Sequence, residues 1–222
     1  MIPLRDSTPS NTFPLITVTI IALNLAIFFY ESSLGIEGMV ELFSVFGLTP
    51  LNYSQGYVPL LAYLPFLTSM FLHGSWMHVI GNMWILWLFG DNLEDRMGRG
   101  NFILFYLSCG ILAALTHYFV SPLSSEPVVG ASGAVAGVMG AYFLLFKKAR
   151  VLTFIPPFFL FNLPAWIYLG FWALTQIWCG TVSIFMADAC GAIAFWAHIG
   201  GFLAGMVLYK LFLKREQPLY NV

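Results

Sequence analysis

The chain has 222 residues, of which 59% are hydrophobic and only 9% are charged, and its formal net charge is −1. A water-soluble globular domain has about 25% charged residues, so this composition excludes that class. Because every backbone polar group in lipid must be hydrogen-bonded within the protein, we expect an all-α bundle that crosses a membrane several times. We expect no nucleic-acid partner.

Residues 1–14 precede the first apolar run. They contain one basic residue, Arg5, and no small-residue cleavage pattern follows the apolar run. A removable signal peptide is therefore not expected. We predict that this segment is short and cytoplasmic and that the first span is retained.

Apolar runs separated by polar residues, proline or glycine predict six transmembrane helices. These spans are, in chain order, about Leu15–Tyr30, Met77–Gly90, Phe102–Val120, Ser132–Phe146, Phe159–Met186 and Ile193–Leu213. A further apolar stretch, Leu60–Leu72, is interrupted by Pro65 and is short for a crossing, so it is predicted to be interfacial or re-entrant. The whole chain, residues 1–222, is therefore predicted to be a single membrane domain in which residues 31–76 form an outer loop partly embedded in the interface.

The basic residues predict the orientation of these spans, because lysine and arginine near span ends are retained on the cytoplasmic side. With six spans, every lysine and arginine falls on one face: Arg5, Arg96, Arg99, Lys147, Lys148, Arg150, Lys210, Lys214 and Arg215. A crossing at residues 60–72 would move two of these arginines to the other face. Both termini are therefore predicted to be cytoplasmic, in a cell membrane that we expect to be a bacterial inner membrane.

In this topology, spans two, four and six begin on the outer side, so their first turns lie at similar depth. His78 and Asn82 are one turn apart on span two, Ser132 begins span four, and His198 lies about one turn into span six. We therefore expect these four polar side chains to share one layer in the outer third of the membrane.

Small residues predict unusually close packing between spans four and six. Two ridges at four-residue spacing lie on span four and one lies on span six: Ser132, Ala136 and Gly140; Gly133 and Gly137; Gly201 and Gly205. His198 lies on the same face as the ridge of span six. If the ridges meet, Ser132 and His198 project into the same gap.

A serine at a helix N-terminus can act as a nucleophile, because the unpaired backbone amides that follow it can hold an oxyanion. A neutral imidazole within hydrogen-bond distance can take the serine proton and return it to the leaving amine. We predict these roles for Ser132 and His198, with the backbone of Ser132 and Gly133 and the side chains of His78 and Asn82 as oxyanion donors. Spans two, four and six have no carboxylate near this layer, which favours a dyad over a triad.

The ordered set HGSWMHVIGN, GASG and AHIGG resembles the rhomboid family of intramembrane serine proteases, and the likeness covers nearly the whole chain. The resemblance implies a six-helix bundle with Ser132 as nucleophile, His198 as general base, and His78 and Asn82 in the oxyanion hole. It also implies that the substrates are single-span membrane proteins, which enter between spans two and five and are cleaved at or near the outer membrane boundary. Neither a metal nor a cofactor is expected.

Other residues match or depart from the family pattern. Glu94 and Arg96 match its acidic-x-Arg signature, a structural element that we expect in the loop after span two, and His73 matches a recurrent structural histidine. Some members have a tyrosine four residues after the serine, stacked on the histidine, and this chain has Ala136 there. The Trp-Arg pair that is common in the outer loop of the family is also missing.

The cysteines Cys109, Cys179 and Cys190 are far apart and lack paired spacing. We therefore predict that they are packing residues and form neither a disulfide framework nor a zinc site.

Alternative functions are weaker interpretations of the same residues. A metalloprotease would need a pattern such as H-E-x-x-H, and an aspartyl protease would need two carboxylates within spans. A transporter would be expected to have interrupted spans or an internal repeat. The strongest alternative is a catalytically inactive rhomboid-like protein that binds transmembrane segments, because a fold alone does not confer activity.

Overall fold

The computed structural model describes residues 1–54, 59–186, 189–191 and 193–214. Arg215, which belongs to the basic set that predicts the topology, lies outside these ranges.

Long helices dominate the described chain. The six that correspond to the predicted spans are α1 (Leu15–Ser33), α5 (Trp76–Met97), α6 (Arg99–Val120), α7 (Ser132–Leu145), α8 (Ala165–Phe185) and α9 (Phe195–Phe212). Helices α1, α6, α8 and α9 are long and apolar enough to cross a membrane, whereas α7 has only 14 residues. The prediction of a polytopic helical membrane bundle is confirmed.

The predicted outer loop contains short helical pieces. Helices α2 (Gly35–Phe46), α3 (Leu51–Ser54) and α4 (Pro65–Thr68) lie here, with 3₁₀ turns at Leu60–Tyr63 and Ser69–Phe71. The stretch that we predicted not to cross thus forms one short apolar helical segment, Leu60–Phe71, made of successive 3₁₀ and α turns. This segment is shorter than the roughly 20 residues of a span, so it is too short to cross a bilayer as a helix.

A small antiparallel sheet is an addition to the predicted all-α architecture. Strands β1 (Ile2–Asp6), β2 (Arg150–Ile155) and β3 (Phe159–Pro164) pair in that order. The predicted start of span five at Phe159 is therefore wrong, because residues 159–164 pair with β2 and α8 begins only at Ala165. Apolar runs of this length do not distinguish a strand from the start of a helix.

The connections that carry the basic residues meet at one end of the bundle, which we call the basic end. Arg5 pairs with Leu152 across the sheet, Thr12 donates its backbone N–H to Asp95 at 3.0 Å, and Lys214 donates its backbone N–H to Arg96 at 3.0 Å. The N-terminal segment, the end of α5, the connection between α7 and α8, and the end of α9 are thus neighbours, as the six-span topology requires.

Glu94 lies in the last turn of α5 and not in a loop, because α5 continues to Met97 instead of ending at Gly90 as predicted. Its buried carboxylate accepts the backbone N–H groups of Ile16 and Thr17 at 3.0 and 2.9 Å and the Thr17 hydroxyl at 2.9 Å. Helix α1 has no side-chain cap from its own N-cap residue. Glu94 therefore supplies the acceptors that the first turn of α1 lacks, consistent with a structural role.

Helices α7 and α9 pack almost backbone to backbone, as the small-residue ridges predict. A Cβ added to Gly201 would lie 2.0 Å from the carbonyl oxygen of Gly133, and one added to Gly205 would lie 1.9 Å from that of Gly137. Real Cβ contacts essentially never fall below 3.0 Å. Only glycine permits this approach of the two helices.

The prediction that all three cysteines are packing residues is wrong for two of them. Cys179 in α8 and Cys190 in the segment before α9 form a disulfide, with Cα atoms 5.7 Å apart, whereas Cys109 is free and buried. The chain reverses direction after α8, and this reversal brings together residues that are 11 positions apart. A spacing rule based on compact cysteine motifs does not detect such a pair.

Candidate active site

Ser132 and His198 lie at the same depth, at the ends of α7 and α9 opposite the basic end. Ser132 is the first residue of α7, and His198 lies in the first turn of α9. The Ser132 Oγ and His198 Nε2 atoms are 2.8 Å apart, and both side chains are partly buried. Hydrogen-bond contact between a hydroxyl and an imidazole is the geometry that general-base activation of a serine requires.

The other ring nitrogen of His198 contacts Gln176 of α8, with 2.7 Å between Nδ1 and Oε1. The indole of Trp172, one turn earlier on α8, flanks the imidazole with 5.9 Å between ring centroids and an interplanar angle of 32°. An aromatic ring thus covers the histidine although position 136 holds alanine. Our sequence reasoning missed Gln176, for which the available signal was a polar amide inside a spanning helix.

The first turn of α7 has free backbone donors. Ala131 is its N-cap residue and provides no side-chain cap. Among the described residues, the N–H groups of Ser132, Gly133 and Ala134 have no hydrogen-bond acceptor, and the first helical bond is donated by Val135 to Ala131. These amides and the helix dipole favour negative charge beside the serine.

Asn82 and His78 both reach the loop that precedes Ser132. A Cβ on Gly130, whose φ is +129°, would lie 2.6 Å from His78 Nε2 and 3.7 Å from Asn82 Nδ2. The residue two positions before the serine must therefore be glycine, both for its backbone conformation and for the space that His78 occupies. The two predicted donors are thus adjacent to the N-terminus of α7.

His73 holds Asn82 in position. The Asn82 amide donates one hydrogen to His73 Nε2 at 3.1 Å, and the Ala131 backbone N–H approaches the same nitrogen at 3.5 Å. Burial and, to a smaller extent, the neighbouring His78 ring lower the pKa of His73 to about 3, so the imidazole is neutral. Because Nε2 accepts, the hydrogen of this ring is on Nδ1. The second amide hydrogen of Asn82 stays available to another acceptor.

Comparison with known proteins identifies the family to which the chain belongs. The Rhomboid domain matches residues 61–215, well over half of the chain. This chain therefore belongs to the rhomboid family, which includes intramembrane serine proteases.

Several curated proteins are similar to the chain. The mitochondrial presenilin-associated rhomboid-like protein of Bos taurus is 28% identical over 172 residues, covering 71% of this chain and 41% of that protein. The mitochondrial rhomboid protein 1 of Saccharomyces cerevisiae is 31% identical over 151 residues, covering 66% of this chain and 41% of that protein. The rhomboid protease GluP of Bacillus subtilis is 33% identical over 132 residues, covering 59% of this chain and 24% of that protein. The match thus spans less than half the length of each relative.

Proposed function

We propose that this chain is an intramembrane serine endopeptidase that uses Ser132 and His198 to cleave single-span membrane proteins at or near the outer membrane boundary. The observation that carries this proposal is the 2.8 Å contact between Ser132 Oγ and His198 Nε2, made at an uncapped helix N-terminus. Membership of the rhomboid family supports it independently.

The proposed reaction has two stages. His198 Nε2 accepts the proton of Ser132 while Oγ attacks the substrate carbonyl carbon, and the resulting imidazolium protonates the leaving amine as the peptide bond breaks. Water then attacks the acyl-enzyme ester, with the same nitrogen as base, and releases the new carboxyl group and the serine. No metal or cofactor takes part in this sequence.

The oxyanion formed in each stage would be held by preorganised donors. We assign this role to the backbone N–H groups of Ser132 and Gly133, to the free amide hydrogen of Asn82, and to His78. The proximity of Asn82 and His78 to Gly130 supports the assignment. One such donor is typically worth about 3 kcal/mol of transition-state stabilisation.

The substrate must expose a peptide carbonyl to Ser132. A transmembrane helix uses its carbonyls in its own hydrogen bonds, so a substrate helix has to unwind locally before attack. We expect glycine, proline or serine near the cleavage point to favour cleavage, and we expect substrates to enter between α5 and α8.

We propose that both termini are cytoplasmic and that the site lies toward the outer surface of a cell membrane. The convergence of the lysine- and arginine-bearing connections at the basic end supports this orientation. We propose a bacterial inner membrane as the location. The relatives described above come from both mitochondria and a bacterium, so this choice rests on the sequence prediction.

Cleavage of a single-span substrate in liposomes tests the proposal. We expect Ser132→Ala and His198→Ala each to abolish cleavage without changing the helix content. Ser44→Ala is a matched control, because the exposed Ser44 hydroxyl donates only to Glu41 of its own helix. Normal turnover by either site variant would contradict the proposal. Substrate binding without cleavage by the wild type would favour an inactive rhomboid-like binding protein.

A further inference from the structure

We propose that Gln176, held in place by Thr175, positions the general base and fixes the tautomer of His198. The pair of Ser132 and His198 would then have a third member, a neutral amide from α8, at the position where many serine hydrolases have a carboxylate. This inference rests on the proposed function of Ser132 and His198. Gln176 is a positioning residue, because it touches the imidazole of the base and not the reacting atoms.

The hydrogen bonds around Thr175 determine which end of the Gln176 amide faces His198. The Thr175 hydroxyl has a single hydrogen, which it donates to the Trp172 carbonyl oxygen at 2.6 Å. Toward Gln176 Nε2, at 3.2 Å, the Thr175 oxygen can therefore only accept. The Trp172 carbonyl, 3.5 Å from the same nitrogen, is also only an acceptor. Both neighbours thus require the NH₂ group of Gln176 at this end.

With its NH₂ group held there, Gln176 presents Oε1 to His198. A carbonyl oxygen can only accept, so His198 Nδ1 must carry the hydrogen across the 2.7 Å contact. A neutral imidazole has one hydrogen, which leaves Nε2 unprotonated at 2.8 Å from Ser132 Oγ. This tautomer is the one that can accept the serine proton.

The anchor on the NH₂ group explains how an amide can replace a carboxylate. In a serine protease triad, an amide in place of the aspartate lowers kcat about 10⁴-fold, because it stabilises the wrong histidine tautomer. A free amide can present either its NH₂ group or its oxygen to the ring, whereas the Gln176 amide is restricted by Thr175 and Trp172. The hydrogen bond from Gln176 to Thr175 is therefore as necessary for the orientation of the amide as the contact with His198.

The surroundings of His198 are consistent with a neutral partner. In the part of the chain that the structure describes, the titratable groups that act electrostatically on the ring from other helices are His78 on α5 and His117 on α6, and Ser132 contacts it from α7. Among the described residues, no carboxylate forms a hydrogen bond with His198. An amide satisfies Nδ1 without the desolvation cost of a carboxylate at membrane depth.

Steady-state kinetics in liposomes test the role of Gln176. Gln176→Met keeps the length of the side chain and removes the acceptor, so we expect kcat to fall about 10²-fold or more with little change in KM. Gln176→Glu restores an acceptor of the same shape, and the Thr175 hydroxyl can rotate away from the Trp172 carbonyl to donate to the second, charged carboxylate oxygen, so most of kcat should return. Its carboxylate also stabilises the protonated ring, and the acidic limb of the kcat–pH profile should move to higher pH.

Thr175→Val tests the anchor, since it keeps the branched shape and removes the hydroxyl. We expect a smaller fall in kcat than for Gln176→Met. Thr181→Val is the matched control, because the exposed Thr181 hydroxyl bonds only to Ile177 of the same helix at 2.8 Å, and it should have wild-type kinetics.

The outcomes separate this inference from the proposed function. If Ser132→Ala is inactive but Gln176→Met has the kcat of the wild type, the inference is overturned and the proposed function stands. If Gln176→Glu is as slow as Gln176→Met at every pH, or has the pH profile of the wild type, Gln176 only fills space and the inference also fails. Cleavage by Ser132→Ala would overturn both.

Discussion

Gly201→Ala is predicted to separate the nucleophile from its base without touching either residue. A Cβ at position 201 would lie 2.0 Å from the Gly133 carbonyl oxygen, whereas ordinary contact begins at 3.4 Å. Because closely packed backbones do not compress, the helices must move apart locally by roughly 1.4 Å, the difference between these distances. The same movement would take the Ser132–His198 contact from 2.8 Å to roughly 4 Å, beyond hydrogen-bond distance.

The expected loss of kcat follows from this displacement. A misplacement of about 1 Å lowers an enzymatic rate about 10²-fold, so kcat of Gly201→Ala should fall at least that far. The assay is cleavage of a single-span substrate in liposomes, with circular dichroism to check helix content. Gly170→Ala is the matched control, since its new Cβ would meet Phe143 at an ordinary 3.6 Å. A folded Gly201→Ala protein with the wild-type kcat would refute the argument that backbone contact sets the site geometry.

Three further variants test other parts of the account. Asn82→Ala should lower kcat about 10²-fold with a smaller effect on KM, because an oxyanion donor acts in the transition state. Glu94→Ala should lower the free energy of unfolding by about 3 kcal/mol, since the N–H groups of Ile16 and Thr17 lose a charged acceptor. Folding lowers the pKa of His73 from 6.5 to about 3. As the pH falls below 6.5, the unfolded state therefore binds a proton at His73 that the folded state does not bind. The contribution of neutral His73 to stability is thus full above pH 6.5 and is lost toward pH 3. That loss is up to about 1.4 kcal/mol per pH unit, and thermal unfolding of His73→Asn should depend less on pH over this window.

Each of these three predictions can be contradicted by a specific result. A pure rise in KM for Asn82→Ala would reassign this residue to substrate positioning. A melting temperature of Glu94→Ala equal to that of Glu37→Ala, a control at an exposed position of α2, would remove the proposed cap of α1. Equal pH dependence of unfolding in His73→Asn and the wild type would show that His73 is not a buried neutral group.

The layer that contains Ser132 and His198 could be predicted from the sequence, because local rules determine it. Helix periodicity places His78 and Asn82 on one face, and the distribution of lysine and arginine sets the direction of each span. Small residues at four-residue spacing then indicate which helices touch. The contact between Gly133 and Gly201 follows from these rules.

Features that depend on long-range pairing could not be predicted in this way. Strand β3 is an apolar run that continues into α8, and only its pairing with β2 distinguishes it from helix. The disulfide of Cys179 with Cys190 depends on the course of the chain after α8. The contact of Gln176 with His198 depends on the rotation of α8 about its axis, so a polar amide in this helix signals a buried role but does not identify its partner.

The most direct test of the central claim is covalent labelling with a fluorophosphonate, which reacts with serines that are activated by a base. After incubation of the reconstituted protein, mass spectrometry should locate the adduct on Ser132 in the wild type, with much less adduct in His198→Ala. An absence of adduct on Ser132, or equal labelling of the two proteins, would contradict the claim that His198 activates this serine.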